Sequence, residues 1–188
     1  MPHVCPAWLG YFLLNPFRKL LEDPEKMLGS IVREGMTVLE PGCGMGYFTI
    51  PMARMVGERG RIVAVDVQPR MLSALKRRAL KAGLSERIEA RQATEGGLGL
   101  EDLSGQVDLV IAIHMVHEVK DRESFFRQTW KVLKPAGWFL IIEPPLHVSR
   151  KAVEQTISLA RSAGFEPVED TKRLTLRGVL LGKLDIDH

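Results

Sequence analysis

The stretch Val38-Leu39-Glu40-Pro41-Gly42-Cys43-Gly44-Met45-Gly46 decides the fold of this chain, together with Val63-Ala64-Val65-Asp66 downstream. The first segment predicts a strand that runs into a glycine loop, and the second a strand that ends in an acid. This order is the layout of a nucleotide-binding βαβ unit. Glycines let the backbone approach a ligand without a Cβ in the way. An acid after the second strand can accept hydrogen bonds from both hydroxyls of a ribose, so the sequence predicts an adenosine-containing cofactor.

The spacing of the glycines narrows the choice of cofactor. Dinucleotide-binding loops use GxGxxG and place a pyrophosphate at a helix N-terminus, whereas this loop is Gly42-x-Gly44-x-Gly46 with Glu40 just upstream. An acid there would repel a pyrophosphate and suits a cation. The pattern therefore disfavours a nicotinamide oxidoreductase.

The two motifs resemble those of the class I S-adenosylmethionine-dependent methyltransferases, whose first motif has the form [V/L]-L-[D/E]-x-G-x-G-x-G and whose second ends in an acid. The resemblance runs over about residues 24–183. It implies S-adenosylmethionine as cofactor and methyl transfer to a small-molecule acceptor. It also implies an α/β fold, a Rossmann-like doubly wound seven-stranded sheet of order 3-2-1-4-5-7-6 with the last strand antiparallel.

Length and composition fit one α/β domain. The 188 residues are 45% hydrophobic and 26% charged, which suits a single core. We expect residues 1–188 to form one domain, with an arm or lid over 1–32 and a core over 33–188. No apolar run approaches the roughly 20 residues that cross a bilayer, and the first residues lack a secretory pattern. These features predict a cytoplasmic protein with no membrane partner, in which Cys5 and Cys43 are free thiols.

Basic residues form two groups, which include Arg77 and Arg78 in the first and Lys172 and Arg173 in the second. The net charge is only +3, and no aromatic residues interleave the first group. We interpret it as a solvated helix face and expect no nucleic-acid partner. An RNA or protein methyltransferase that uses these faces remains an alternative, as does a non-catalytic protein that binds S-adenosylmethionine.

Strand and helix patterns alternate from residue 37 onward, which favours a mainly parallel sheet. The predicted strands are residues 37–40, 61–66, 87–91, 107–113, 138–143, 165–170 and 174–181. The predicted helices are residues 47–56, 69–82, 122–133 and 149–163. Asp121 is a candidate N-cap, and residues 134–137 should form a turn. The short link at 171–173 requires its two strands to be antiparallel.

The helix over residues 69–82 has a predicted buried face. Its apolar positions recur with helical spacing, and they are Met71, Leu72, Leu75, Ala79 and Leu80.

The first 32 residues contain an aromatic patch that includes Trp8 and Tyr11. A covering for the core and a lid over a substrate pocket are equal alternatives, and a contact in a homodimer is a third. Under the lid hypothesis Tyr11 binds the acceptor.

Residues at the carboxyl ends of the predicted strands are the candidate site, because ligands of open α/β sheets bind there. Val67 or Gln68 would lie along an adenine, and Asp66 has an N-cap role as its structural alternative. The family resemblance implies an acid after the third strand, but the stretch here is Arg91-Gln92-Ala93-Thr94-Glu95. Gln92, the Ala93 backbone, Thr94 or Glu95 would have to take its place, and of these we predict Ala93 and Thr94 as cofactor contacts. The predicted cofactor-binding residues are Glu40, Gly42, Cys43, Gly44, Gly46, Asp66, Val67, Ala93, Thr94 and His114.

The fourth strand ends in Ile113-His114-Met115-Val116-His117-Glu118, which resembles the strand-end segment of small-molecule methyltransferases. His114 should lie against the cofactor, and His117 or Glu118 should face the acceptor. Histidine, with an unperturbed pKa of roughly 6.5, can take a proton from a hydroxyl or amine as the methyl group arrives. We therefore predict His114 and His117 as catalytic, and His117 and Glu143 as acceptor-binding, with helix capping or packing as the alternative.

The scattered His and Cys residues show no spacing typical of a metal site.

Overall fold

The computed structural model describes residues 22–94, 97–144, 148–168 and 178–183. Within them lies a seven-stranded sheet of order β3-β2-β1-β4-β5-β7-β6. Strand β7 is antiparallel to both β5 and β6, so the predicted order and reversed strand are confirmed. The strands are β1 (Thr37–Pro41), β2 (Arg61–Asp66), β3 (Ile88–Gln92), β4 (Val107–Ile113), β5 (Leu133–Ile142), β6 (Phe165–Pro167) and β7 (Gly178–Lys183).

Five α-helices lie in the described part of the chain. They are α1 (Pro24–Leu28), α2 (Thr49–Met55), α3 (Pro69–Lys81), α4 (Arg122–Val132) and α5 (Arg150–Ser162). Asp121 caps α4, as predicted, since its carboxylate accepts the Ser124 amide at 2.8 Å. One-turn 3-10 helices occupy Ser85–Arg87, Glu101–Leu103 and Val116–Glu118.

The chain divides into two compact units, of which one ends at Gly99 and the other begins at Leu100. The single domain over residues 1–188 stays a prediction. In the first unit β1 and β3 each pair in parallel with β2, and the β2 side chains from Ile62 to Asp66 are buried. Such continuous burial is typical of parallel strands that are covered on both faces.

Helix α3 packs against β2 and β3 in the first unit through one apolar face. Met71, Leu72, Leu75 and Ala79 are buried as predicted. Leu80 is 74% exposed, so its predicted place on the buried face is wrong. Ala74 is buried instead, because it follows Met71 by three residues and so lies on the same side of the helix.

The second unit is built on β4, β5 and β7 around an aromatic cluster. The rings of Phe126, Phe139 and Phe165 have no exposed surface. Their centroids are 5.5 to 6.3 Å apart and the rings are tilted or edge to face, a geometry that aromatic pairs favour. This cluster joins α4 to strands β5 and β6 of the sheet in this unit.

Strand β5 begins earlier than predicted. The sequence predicts a turn over residues 134–137 and a strand from Trp138, whereas the structure pairs Val107 with Leu133 and then Leu109 with Trp138. The intervening residues form a bulge in which Ala136 has a φ of 56°. A bulge keeps the strand continuous while it absorbs extra residues. The turn prediction located the irregularity but missed the pairing at Leu133.

The ends of the chain are described only in part. Residues 22–32 pack onto the first unit, since Leu28, Ile31 and Val32 are buried and the Tyr47 hydroxyl donates to the Glu22 carbonyl at 2.7 Å. Tyr11 and residues 169–177 lie outside the described residues, so the arm hypotheses and the predicted link at 171–173 stay predictions. No helix among the described residues is long and apolar enough to cross a bilayer.

Candidate functional site

The glycine loop follows β1 and has a left-handed backbone at each of its three glycines. The φ angles are 71° at Gly42, 53° at Gly44 and 82° at Gly46, a region that side-chain-bearing residues avoid. A Cβ at Gly46 would collide with Leu75 of α3. A Cβ at Gly44 would meet no described atom within 4 Å. Gly46 is thus required for packing, whereas the space beside Gly44 is open to a ligand.

Asp66, the last residue of β2, holds this loop. Its Oδ2 accepts the Gly44 amide at 2.9 Å and its Oδ1 accepts the Gln68 amide at 2.8 Å. Gln68 is the N-cap of α3. Asp66 is therefore not the N-cap, which was its structural alternative, and its carboxylate instead accepts a hydrogen bond from the cap residue. Burial raises the pKa of Asp66, and these backbone bonds oppose the rise. The carboxylate therefore joins the two motifs that the sequence placed more than twenty residues apart.

Arg78 contacts the glycine loop, and the sequence did not predict this contact. Its guanidinium donates to the carbonyl of Met45 in the loop. The group is about half buried, and burial lowers its pKa. The first basic group was interpreted as a solvated face, which holds for Arg77 but is wrong for Arg78 because one of its donors is committed to the loop. No sequence pattern separates these two neighbours except their helical phase.

Glu40 at the end of β1 is buried, with 4% of its surface exposed. Its Oε2 accepts the Thr49 hydroxyl of α2 at 2.5 Å. The pKa of Glu40 is raised to about 8. Burial is the largest cause, the Thr49 hydrogen bond opposes it, and the charge of Asp66 adds to the rise. A nearby cation would lower this pKa. A pKa of about 8 favours the protonated acid near neutral pH, and a bound cation would favour the carboxylate.

Cys43 lies in the loop as a buried free thiol. Burial raises its pKa well above the usual 9.0, and the charges of Glu40 and Asp66 raise it further. The predicted free thiol is confirmed for Cys43, and Cys5 lies outside the described residues.

The other predicted cofactor residues of the first unit lie after β2 and β3. Val67 is 51% exposed directly after Asp66, so an apolar surface is available where an adenine was predicted. The Ala93 amide donates to the Asp66 carbonyl at 3.0 Å. That donor is therefore used, and a ligand would have to contact the Ala93 carbonyl. Thr94 pairs with Gly97 in an isolated bridge.

In the second unit His114 follows β4 with an unusual backbone. Its φ is 56°, and its amide donates to the Ile142 carbonyl of β5 at 2.7 Å. A residue other than glycine in the left-handed region costs on the order of 1 kcal/mol or more, and such residues concentrate at functional sites. The bond to β5 fixes the direction in which the chain leaves the strand.

His117 and Glu143 meet directly. Ring nitrogen Nδ1 of His117 lies 2.7 Å from Oε2 of Glu143, and the His117 amide donates to Oε1 at 3.0 Å. Glu143 is 2% exposed and the His117 side chain 29%. The sequence placed both residues near the acceptor but did not predict their contact. Among the described residues no group of three or more His, Cys, Asp or Glu side chains could hold a metal ion.

The sheet order, the GxGxG loop and the acid after β2 together define a class I methyltransferase fold. Two features of the structure fit S-adenosylmethionine as the ligand of this loop. The space that a Cβ at Gly44 would occupy is open, and the exposed Val67 follows the acid at the end of β2. The roles of the individual residues stay predictions.

The comparison with known families agrees with this class. A profile described as a methyltransferase domain matches residues 32–173, and the chain belongs to this family of S-adenosylmethionine-dependent methyltransferases. The ubiquinone/menaquinone biosynthesis C-methyltransferase UbiE of Enterobacter sp. (strain 638) is 33% identical over 112 residues, which are 60% of this chain and 44% of that relative. The UbiE protein of Escherichia coli O9:H4 (strain HS) is 31% identical over the same length. The chain thus spans less than half the length of these relatives.

Solved structures extend the likeness to nearly the whole chain. A SAM-dependent methyltransferase from Aquifex aeolicus superposes with a TM-score of 0.84 and 26% identity, covering 96% of this chain and 100% of that one. A methyltransferase from Methanococcus maripaludis, described as putative, gives a TM-score of 0.75 at 18% identity, covering 96% and 91%. The second likeness concerns the fold alone.

Proposed function

We propose that this chain is an active enzyme that transfers the methyl group of S-adenosylmethionine to a small-molecule acceptor. The observation that carries the proposal is the hydrogen bond from the Gly44 amide to Asp66. It joins the glycine loop and the acid after β2, the two elements on which the family resemblance rests. A loop fixed in this way is preorganised for a ligand, which reduces the conformational cost of binding.

The first unit supplies the groups proposed to hold the cofactor. Asp66 would bind the ribose, Val67 would lie along the adenine, and Glu40 would be the negative group near the positive end. The remaining proposed contacts in this unit are Gly42, Cys43, Gly44, Gly46, the carbonyl of Ala93 and Thr94. His114, which belongs to the second unit, stays a predicted cofactor contact. The burial of Glu40 and the exposure of Val67 support these two assignments.

The reaction asks little of the protein beyond orientation. When bound, the cofactor supplies a methyl group on a sulfonium, which is a good leaving group. The chain's own residues hold the acceptor in line with that group and keep water out, contributions that can supply much of a barrier reduction. His117 and Glu143 are the groups we propose to face the acceptor, with Tyr11 as a further contact from the arm.

The acceptor is proposed to be small, and the relatives suggest where to look first. They are named for C-methylation in ubiquinone and menaquinone biosynthesis, so ring compounds of that kind belong in a first panel of acceptors. A cytoplasmic location and a homodimer through the arm are further proposals, which fractionation and light scattering test directly.

The first experiment is a calorimetric titration of the full chain with S-adenosylmethionine, S-adenosylhomocysteine and NAD. We expect micromolar binding of the first two and none of the third. Asp66→Ala is the test variant, and Glu58→Gln is the matched control because the Glu58 side chain is 89% exposed. Binding of NAD alone, or of none of the three, would contradict the proposed cofactor.

Methyl transfer is measured separately with a donor that carries a tritiated methyl group. Label in small-molecule fractions of a cell extract supports the proposal, whereas label in RNA or protein alone supports the alternative acceptors. Binding of the donor without any transfer would instead identify a non-catalytic binding protein.

A further inference from the structure

The contact between His117 and Glu143 has two parts that fix the ring as well as the backbone. One carboxylate oxygen accepts the His117 amide at 3.0 Å and the other lies 2.7 Å from ring nitrogen Nδ1. Glu143 is 2% exposed, so this carboxylate is withdrawn from water and directed at a single residue. A buried carboxylate is costly unless it is hydrogen-bonded. Its two oxygens therefore act together on His117.

The charges and donors around His117 determine which ring nitrogen holds the proton. Glu143 as a carboxylate can only accept, so Nδ1 must donate. The lone pair then lies on Nε2. Glu118 Oε1 is 3.9 Å from Nε2, which is beyond hydrogen-bonding distance. Arg122 of α4 donates to the His117 carbonyl at 3.5 Å.

We propose that Glu143 is a positioning residue that holds His117 in the Nδ1-protonated tautomer, with Nε2 as the proton acceptor, and that the methyl acceptor carries an ionisable hydroxyl. This inference rests on the proposed function and deepens it. Under this proposal Glu143 acts through His117, whereas the sequence predicts that Glu143 contacts the acceptor itself.

The choice of a hydroxyl follows from what a base can contribute. A neutral amine already offers a lone pair and needs no proton removed before attack, whereas a hydroxyl oxygen becomes strongly nucleophilic only as its proton leaves. During methyl transfer the acceptor's O–H bond breaks and its proton passes to Nε2 of His117. The electron pair left on the oxygen forms the bond to the methyl carbon; alternatively a ring carbon that the oxygen activates forms this bond and then passes its own C–H proton to the oxygen.

The charges of this step balance within the site. The bond between sulfur and the methyl carbon breaks and its electron pair stays on sulfur, which becomes neutral. The positive charge is transferred to the imidazolium of His117. Glu143 lies against that ring, so an opposite charge is already in place where the positive charge forms. Such preorganised charge stabilises a transition state at no cost of reorganisation.

The tautomer can be read by NMR of protein labelled with ¹⁵N in the histidine rings, in the absence of any acceptor. We expect long-range ¹H–¹⁵N correlations of His117 to show a protonated Nδ1 and an unprotonated Nε2. His117→Gln identifies the signals. Glu143→Gln should mix the tautomers, whereas Glu123→Gln, the matched control at a side chain that is 69% exposed, should leave them unchanged. An Nε2-protonated ring in the unmodified protein would overturn the inference.

Because Glu143 is buried, Glu143→Gln requires a check that it folds. Circular dichroism and calorimetric titration with S-adenosylmethionine supply it, and we expect an affinity within about twofold of that of the unmodified chain. If this variant does not fold, the spectrum of the unmodified protein still decides the tautomer. Failure of the unmodified chain to bind the cofactor would overturn the proposed function while the tautomer result stands.

The acceptor class is tested with catechol, hydroquinone and benzylamine as probes and a tritiated methyl donor. We expect label in at least one phenol and none in the amine. Glu143→Gln should then lower kcat by at least about 10-fold, because replacing the carboxylate that holds a general-base histidine in its tautomer can cost as much as roughly 10⁴-fold, with KM little changed. Label in benzylamine alone, or in neither phenol, would overturn the hydroxyl class.

Discussion

The amide of Gly44 donates to Oδ2 of Asp66 at 2.9 Å, although the two residues are 22 positions apart in the sequence. The acid that we expect to bind the ribose therefore also fastens the loop that we expect to surround the rest of the ligand. A substitution at Asp66 acts on both. Its effect should depend on whether the replacement keeps an acceptor for the Gly44 amide.

Asp66→Ala should weaken S-adenosylmethionine binding by roughly 1.5 to 3 kcal/mol, as expected when charge-assisted hydrogen bonds are lost. Asp66→Asn keeps an oxygen that can accept from Gly44, so its loss should be smaller. Calorimetric titration of both variants measures the difference. Unchanged affinity in Asp66→Ala would show that the acid does not contact the cofactor.

Arg78→Gln should lower the affinity for S-adenosylmethionine several-fold, because the loop carbonyl of Met45 loses its guanidinium donor. A hydrogen bond from a charged group is worth about 1.5 to 3 kcal/mol, and the part-exposed position of Arg78 reduces this. Arg77→Gln, on the exposed neighbour, is the matched control and should have no effect. Equal effects of the two substitutions on titration would contradict a specific role for Arg78.

Gly46→Ala should destabilise the fold by about 2 to 4 kcal/mol, since it combines a left-handed φ with a clash against Leu75. Gly83→Ala provides the matched control. Gly83 has a φ of 68° and no described atom within 4 Å of an added Cβ, so it should lose only the conformational part, about 1 kcal/mol. Urea denaturation gives both free energies of unfolding. Equal losses in the two variants would mean that the Leu75 side chain moves aside at no cost in stability.

Glu40 makes the stability of the fold depend on pH. Its pKa is about 8 in the folded chain against 4.5 for an ordinary glutamate, so between these values the folded state binds a proton that the unfolded state has released. The contribution of Glu40 to the free energy of unfolding therefore falls as pH rises through this window and levels off above about 8. A shift of this size corresponds to at most about 5 kcal/mol.

Glu40→Gln should remove most of this fall, because the amide has a similar shape and does not ionise. The free energy of unfolding, measured in urea from pH 5 to about 9, should decline less in the variant than in the unmodified chain. Glu86→Gln, at an exposed position, serves as the control. An identical decline in Glu40→Gln would assign the pH dependence to other groups.

The sequence predicted the sheet well because strands that are buried on both faces appear in it as nearly continuous apolar runs. Strands β2 and β4 have the predicted bounds, and both are apolar almost throughout. The antiparallel direction of β7 is confirmed, whereas the short link from which it was predicted lies outside the described residues. Elements set by packing between distant residues were less predictable, as the early start of β5 shows. The exposure of Leu80 was likewise not predicted, because apolar spacing alone does not show which side of the helix faces the sheet.

The candidate site was predictable in its residue types but not in its contacts. Spacing placed Asp66, His117 and Glu143 at the ends of strands, where ligands of such sheets bind. The bond between Arg78 and the loop and the contact of His117 with Glu143 depend on side-chain directions, which a single sequence does not record. The left-handed backbone at His114 was equally hidden, because no residue type there required it.

Cys43 gives the glycine loop a feature that bears on the methyl transfer proposed for this chain. A thiolate is a strong nucleophile, and a methyl donor held against one would alkylate the protein itself. Burial and two neighbouring acids keep the pKa of Cys43 well above 9.0, so the sulfur remains a neutral thiol and reacts slowly. If the glycine loop holds the methyl donor as we propose, the same buried, acidic surroundings that suit a cationic ligand also keep this thiol from being methylated.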